Sequence, residues 1–590
     1  MKGAEAMVDL LVRRGVPYVF GLCGHGIIGF LDAVYGRRDE LKTVSVHHES
    51  VAGFMADAYF RISHVPVATF TSCGPGSANL PVALASAFMD SSAFLAITGN
   101  VPTSQWNRGP FQETGRHVQG DVINALRPYV KRSFQPTRPE MLPLALKQAY
   151  ATMLSGRPGP VHLDVPLDLF VEQVDDARVA TEFASSAVPS RAAADPELVA
   201  DALRRLRVAK RPVIVAGHGV EGSEAERELA ALAERVAVPV AVTPLGKGVM
   251  DMRSRFCLGS TGRNGTYPAN AATRNADVIL AIGTRFDDRA TSSWLPGFTY
   301  RIPPTELIQI DIDPAEIGRN YPVAVPLLGD ARTVLRQLLT ATEEAPRDER
   351  REWWERIERW RARWSAHLSG AGSSDARPIR PERVVREVRE ALPDDGVLLA
   401  DVGVHHNWIV AEFEARRHRS VLQSWGFASM GFGVAGALGA KLAAPDRPVL
   451  SVCGDGGFLM TASAVATAVE YGIPVVWLVW NNLGYCSIRD QQRGYFGADR
   501  ELATSFVRAD DGELTSVDFA TLARSMGAEG ARVEAPGDLG GRLRWALGLG
   551  RPVVLDVRVD RDVRPPATAS WDLPPLPHPL PDFGWGTDDE

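Results

Sequence analysis

Gly454-Asp455-Gly456 follows the apolar run Val449 to Val452, and a second apolar run, Val475 to Trp480, delivers Asn481-Asn482. Both runs read as buried strands of a parallel sheet, with a connecting helix over Thr461 to Tyr471. The carboxyl ends of such strands lie beside a helix start, where free backbone N–H groups favour phosphate. Asp455 and the side-chain carbonyl of Asn482 are hard oxygen donors of the kind that bind magnesium octahedrally while the ion keeps phosphate oxygens in its shell. The pair predicts a magnesium ion bridging to a diphosphate. Taken alone, Gly-Asp-Gly is a common turn. The strand before it, the helix after it and the second strand ending in paired Asn supply the context that a motif match requires.

Two further loops carry candidate chemistry. His47-His48-Glu49-Ser50 opens a helix running from Glu49 to Tyr59, and Gly74-Pro75-Gly76-Ser77-Ala78-Asn79 follows a strand. A Glu in a first helical turn can simply answer the helix dipole. The loop Gly21-Leu22-Cys23-Gly24-His25-Gly26 presents His25, which can move protons near neutral pH or can be a turn residue pointing away.

Three α/β units must position these loops. Short apolar runs at Tyr18–Phe20, Val67–Phe70, Phe94–Ile97 and Val161–Val165 predict a first parallel sheet within residues 1–180. A polar stretch, Ala180 to Ala194, reads as a linker. Runs at Val213–Ala216, Val240–Val242, Val278–Ile282 and Leu307–Ile312 predict a central domain over 195–342. Residues 343–375 mix Arg, Glu and Trp. That pattern fits a nucleic-acid surface less well than a salt-bridged connecting helix. Runs at Val397–Ala400, Val449–Val452, Val475–Trp480 and Val553–Val557 predict the third domain over 380–560. Gly550-Arg551-Pro552 before its last strand echoes Gly156-Arg157-Pro158 in the first domain, so the outer domains are expected to share one topology. Residues 561–590 are Pro-rich and end acidic, an extended tail expected to pack only through Trp571, Phe583 and Trp585. The fold class is therefore three doubly wound α/β domains.

Composition narrows the function. A length of 590 residues exceeds one core, and a net charge of −7 gives no electrostatic case for nucleic acid or an anionic membrane. The five cysteines show no paired spacing for zinc or a disulfide framework, which fits reduced thiols. No signal peptide and no membrane-spanning apolar run is read from the sequence, so a soluble cytoplasmic protein is expected.

Together these loops resemble the thiamine-diphosphate enzymes, and across nearly the whole chain the acetolactate-synthase branch. The resemblance is carried by Gly99-Asn100-Val101-Pro102, Phe111-Gln112-Glu113-Thr114, Arg285-Phe286-Asp287-Asp288-Arg289, Ile310 to Gly318 and Gly431-Phe432-Gly433. It implies pyrimidine-binding and diphosphate-binding domains flanking the central one. The reaction implied is decarboxylation of a 2-oxo acid followed by ligation to a carbonyl acceptor, or, in relatives, simple decarboxylation or hydrolysis of a cyclic 1,2-diketone. A silent scaffolding relative is the non-enzyme alternative. The site is implied to form between subunits of a homodimer or homotetramer.

Residue by residue, the resemblance makes Glu49 the activating glutamate on the aminopyrimidine ring, beside Gly76 and Asn79. Asp455 and Asn482, with the Gly484 carbonyl, become the metal ligands. Val404, His405, Gly454, Gly456, Gly457 and Tyr485 surround the diphosphate, with His405 as a surface histidine the alternative. Met430 is the apolar wedge under the cofactor, or ordinary core. His25 and Gln112 stand near the reacting carbon, and Phe111, Gln112 and Lys131 border the substrate. Arg289 receives the acceptor carboxylate, unless it forms a structural salt bridge with Asp287 or Asp288. That segment, with Gly217-His218-Gly219 and Gly246-Lys247-Gly248, also resembles an FAD-holding domain. Gln491 departs from the pattern. It stands where the branch has Trp, and a polar wall predicts an acceptor that can pair with it rather than pyruvate.

Overall fold

Each apolar run becomes an inner strand of one of three parallel six-stranded sheets. The computed structural model describes residues 1–114, 120–184, 190–342, 350–571 and 585. In the first domain the strands are β1 (Tyr18–Gly21), β2 (Lys42–Ser45), β3 (Ala68–Thr71), β4 (Leu95–Asn100), β5 (Ser133–Phe134) and β6 (Val161–Pro166), in the order β2-β1-β3-β4-β6-β5. The central domain has β7 (Pro212–Ala216), β8 (Val240–Val242), β9 (Cys257–Ser260), β10 (Val278–Ile282), β11 (Glu306–Asp311) and β12 (Val325–Leu328), ordered β12-β11-β10-β7-β8-β9. The third has β13 (Val397–Ala400), β14 (Val421–Gln423), β15 (Val449–Gly454), β16 (Val476–Asn481), β17 (Glu529–Val533) and β18 (Val553–Arg558), ordered β14-β13-β15-β16-β18-β17. The outer sheets have the same order, as the echoed Gly-Arg-Pro turns predicted. The central sheet has the order of dinucleotide-binding sheets, whose chain reverses direction across the sheet at its first and fourth strands, here β7 and β10.

The twelve strands read from the sequence are the four inner strands of each sheet, and the six it missed are the six edges. Inner strands are covered on both faces and read as unbroken apolar runs. Edge strands such as Lys42–Ser45 and Val325–Leu328 keep exposed positions and lose that signal.

The outer domains meet through two helices, Glu49–Ser63 and Phe432–Ala443. Small residues allow the close approach. A Cβ on Gly439 would lie 1.9 Å from the Met55 carbonyl oxygen, and one on Gly436 would lie 3.2 Å from the Ala58 Cβ. Because backbone meets backbone, a methyl group here must push the helices apart. Gly439→Ala is expected to lower the unfolding free energy by ~1–3 kcal/mol, measurable by chemical denaturation.

Three connecting segments take the following form. The stretch read as a linker from Ala180 starts inside a helix, Asp176–Phe183, with Val179 and Phe183 buried; residues 185–189 lie outside the described ones. The connecting helix spans Arg351–Ala371, and 343–349 lie outside the described residues. It carries the ion pairs Arg351–Glu355 and Arg361–Glu358. It nevertheless buries Trp353, Ile357, Trp360 and Trp364 against the central sheet, so it belongs to that domain's core, and these three tryptophans cannot stack on bases. The tail is also held by its backbone. Thr568 N–H donates to the Arg263 carbonyl, the Pro566 carbonyl accepts from Asn264 Nδ2, and Ser570 N–H donates to Ser292 Oγ. Phe583 lies outside the described residues, and Trp585 packs on Tyr267 and Trp364. Among the described residues no helix is long and apolar enough to cross a membrane.

Candidate active site

β15 ends at Gly454, and Asp455 opens a short helix, Asp455–Met460, ahead of the helix Ser463–Glu470. The Asp455 carboxylate stitches two strand ends together. Oδ1 accepts from Gly456 N–H at 2.8 Å, while Oδ2 accepts from the N–H groups of Asn482 and Gly484, each at 3.1 Å. Burial pushes Asp455 up to about 6 against those donors, a cost that a bound cation would remove. Of the paired asparagines, Asn481 is committed to Asp556 and Ser516, whereas the Asn482 side-chain amide has no hydrogen-bond partner among the described residues. Leu483 has φ 61° and Gly484 φ 148°, and a Cβ on Gly484 would meet the Thr504 carbonyl oxygen at 2.2 Å. This turn brings the Gly484 backbone back beside Asp455. The Tyr485 ring lies against Gly456, where a Cβ would come within 2.2 Å.

β13 ends beside the same place. Asp401, which the sequence reading missed, is wholly buried and accepts from Gly431 N–H at 3.1 Å and Gly433 N–H at 3.0 Å. It thereby fixes the turn that carries Met430, whose Cε lies 3.9 Å from a Cβ placed on Gly457. A signal for it was present, since Asp401-Val402-Gly403 leaves its strand much as Asp455-Gly456 leaves β15. Gly403 then precedes the helix Val404–Glu412. His405 is not a surface histidine. It is buried between Gly403 and Gly454, its Nε2 has no partner among the described residues, and burial holds it neutral by lowering it to about 4. An orphaned buried nitrogen at a helix start is what a phosphate would satisfy. The donor set of one carboxylate, one amide and one carbonyl suits magnesium, and no cluster of three His, Cys, Asp or Glu side chains competes among the described residues.

The second half-site lies on the first domain. Glu49 is buried at the start of its helix, and its Oε2 accepts from Asn79 Nδ2 at 2.9 Å. Oε1 has no hydrogen-bond partner among the described residues and lies 3.3 Å from a Cβ placed on Gly76. That gap suits a ring nitrogen. His25, Phe111 and Gln112 gather around Cys73. His25 Nε2 is 3.4 Å from the Cys73 Sγ, which is 4.0 Å from Gln112 Oε1, and the Phe111 ring centroid is 5.7 Å from that of His25. Cys73, one of the five scattered thiols, is thus part of this group. Burial raises it, so it stays a protonated thiol rather than a nucleophilic thiolate.

The Met430 turn lies toward the Arg61 end of the Glu49–Ser63 helix. Phe432, two residues past Met430, carries the Arg61 guanidinium over its ring at 5.0 Å. Glu49 stands at the opposite end of the Glu49–Ser63 helix from Arg61, ~18 Å away at the helical rise.

Three family models match the chain in order: the thiamine pyrophosphate enzyme N-terminal TPP binding domain over 1–119, central domain over 199–338 and C-terminal TPP binding domain over 401–557. The chain is 35% identical to a probable acetolactate synthase large subunit of Methanocaldococcus jannaschii over 583 residues, covering 98% of this chain and 94% of the relative. It is 32% identical to acetolactate synthase isozyme 3 large subunit of Escherichia coli over 95% of each chain. The chain belongs to the acetolactate synthase family of thiamine-diphosphate enzymes.

The remaining residues expected from the acetolactate-synthase resemblance are placed as follows. Arg289 makes no salt bridge with Asp287 or Asp288. Asp287 Oδ1 accepts from the N–H groups of Arg289 and Ala290, and Asp288 Oδ2 accepts from Trp571 Nε1 at 2.7 Å. The guanidinium instead donates to Asn407 Oδ1 at 2.6 Å, on the helix that starts with Val404, and stacks 4.7 Å over Trp425. Gln491, on the helix Cys486–Phe496, donates to its own helix at the Ser487 carbonyl. Lys131 is not brought to the His25 group. Its ammonium donates to the carbonyls of Ser155 and Arg157, and burial lowers it to about 8. At the β7/β10 reversal of the central domain lies a cavity of about 390 Å³, lined by His218, Gly219, Gly283, Arg285 and Asp311. Lys247 lies elsewhere, buried and donating to the Val410 carbonyl at 3.0 Å.

Proposed function

We propose that the protein decarboxylates a 2-oxo acid donor and ligates the acyl unit to a carbonyl acceptor, using thiamine diphosphate and magnesium. The observation that carries this reading is the pair of complementary half-sites. One offers a carboxylate, an amide and an orphaned buried histidine nitrogen; the other offers a buried glutamate with one free oxygen. When bound, thiamine diphosphate supplies the carbon nucleophile and the electron sink. Asp455, Asn482 and the Gly484 carbonyl would hold the magnesium, and His405 and the N–H groups opening the Val404–Glu412 helix would face the diphosphate. Met430, held by Asp401, would support the cofactor rings. Glu49 would hold a proton at the aminopyrimidine, and His25, Cys73 and Gln112 would surround the reacting carbonyl. Arg289 would receive the acceptor carboxylate as a planar fork of donors.

Because Glu49 is remote from the Met430 turn in its own chain, a complete site takes Glu49 from a second copy, which makes a homodimer the working unit. FAD fits the central cavity at the sheet reversal. There the Gly219 and Gly283 backbones pack against each other at the cavity wall, and Asp311 ends β11 as an acceptor for ribose hydroxyls.

Incubation of the protein with thiamine diphosphate, magnesium, 13C-labelled pyruvate and a panel of 2-oxo acid and aldehyde acceptors is expected to give a longer labelled carbon skeleton. A ring-opened acid from cyclohexane-1,2-dione, with no ligated product, would overturn the proposal.

A further inference from the structure

Two arginines stack on the same indole. The guanidinium carbons of Arg263 and Arg289 each lie 5.6 Å from the centroid of the Trp571 ring, so they are no more than about 11 Å apart. Arg289 also stacks on Trp425, which makes a ladder of two cations and two indoles. Neither cation has an ion-pair partner among the described residues. Arg289 donates only to the neutral Asn407, and Arg263 has no side-chain hydrogen bond or ion pair among the described residues. The carboxylates nearby are engaged elsewhere: Asp288 holds the Trp571 indole, Asp287 holds backbone N–H groups, and Asp490 pairs with Arg489 at 2.9 Å and Arg564 at 3.8 Å. Burial lowers both Arg263 and Arg289, outweighing the opposing charge of Asp490 on the first and of Asp287 and Asp288 on the second.

Both side chains and both tryptophans remain partly exposed, so this face can receive a ligand. It is continuous with the rest of the site. Asn407 shares the helix that begins with Val404 and His405. Asp490, whose charge reaches Arg263, shares the Cys486–Phe496 helix with Gln491. The tail hydrogen-bonds through Thr568 and Ala569 to the Arg263 carbonyl, which fixes the backbone from which the side chain projects.

The geometry points to Arg263 as a second anion-recognising residue of the acceptor site, so that the acceptor is a 2-oxo acid with a second, distal anionic group. The inference rests on the carboligase reading above. Arg289 takes the 2-oxo carboxylate, as that reading already assigns. Arg263 takes the distal anion, and a short dicarboxylate can span the distance between two guanidinium forks. A charge-assisted pair of this kind discriminates by roughly 10- to 100-fold.

The test sets 2-oxoglutarate against 2-oxobutyrate as acceptors for pyruvate in the wild-type holoenzyme, Arg263→Gln, Arg263→Lys and Arg289→Gln. The wild type is expected to favour 2-oxoglutarate in kcat/KM by about tenfold or more. Arg263→Gln should lose that preference through KM while keeping its rate with 2-oxobutyrate, Arg263→Lys should retain part of it, and Arg289→Gln should weaken both acceptors. A wild type without the preference, or an Arg263→Gln variant that keeps it or that weakens both acceptors equally, would overturn the inference. If no acceptor is ligated, the carboligase reading itself fails, and calorimetric binding of 2-oxoglutarate then decides. Binding that is lost in Arg263→Gln supports the clamp, and absent or unchanged binding refutes it.

Discussion

Replacing Glu49 with Gln is expected to lower kcat by about 100- to 10,000-fold, with cofactor affinity changed far less. The substitution keeps volume, and the new carbonyl oxygen can still accept from Asn79 Nδ2, so the local hydrogen bond survives. What is lost is the charge on the second oxygen, the one that lies unpartnered beside Gly76. A buried glutamate meant only to answer a helix dipole would cost about 1 kcal/mol on neutralisation and leave turnover intact. Steady-state rates at saturating 2-oxo acid, with thiamine diphosphate binding measured separately, distinguish the two roles. A loss smaller than tenfold would remove Glu49 from the chemistry.

The second large effect is on stability. Arg61 sits in a buried cluster with Asp57 and Asp90. Its Nε is 2.7 Å from Asp57 Oδ1 and its Nη2 is 3.1 Å from Asp90 Oδ2, with all three side chains almost fully buried. Burial opposes the Arg61 charge, and the two carboxylates outweigh it, so its affinity for the proton is raised. The cluster joins domains. Arg61 Nη1 donates to the Gln423 carbonyl at 2.7 Å, and Asp90 accepts from the N–H groups of Trp425 and Gly426. Arg61→Ala leaves two buried carboxylates without a counter-ion and is expected to cost ~3–5 kcal/mol. The deficit should shrink as pH falls, because protonated carboxyls no longer need the guanidinium. Desolvation already raises Asp57, which places that relief above the ordinary aspartate range. Chemical denaturation of wild type and variant across pH checks both the size and the trend. The Trp425 wall beside Arg289 hangs from Asp90, so the variant should also weaken acceptor use.

The legible parts of this chain were those whose signal is local. Inner strands, covered on both faces, appear as apolar runs, and Asp455 and Asn482 stand at the ends of two of them. Asp401 and Cys73 were missed because their importance lies in what they touch, Gly431 and Gly433 in one case and His25 and Gln112 in the other. Neither partnership has a fixed sequence spacing. The aromatic-rich helix Arg351–Ala371 was half read. Its mixed charge gave the exposed face correctly, but Trp353, Ile357, Trp360 and Trp364 repeat at helical spacing and mark a buried stripe. The tail misled through composition. Proline-rich chain lacks sheet-forming order, yet Pro566 to Ser570 still offers backbone groups that pair with the 263–270 segment and Ser292. Lys131 shows the opposite failure, a motif match whose ammonium the fold ties to two carbonyls of the 155–157 loop.

The most direct test of the central claim is subunit complementation between Glu49→Gln and Asp455→Ala. Each variant alone is expected to be nearly inactive toward the 2-oxo acid that the wild type consumes. If Glu49 of one copy and Asp455 of another build one catalytic site, mixed dimers carry one intact site out of two. Random reassociation then restores about one quarter of wild-type activity. No recovery in a mixture shown to contain mixed dimers would contradict the account.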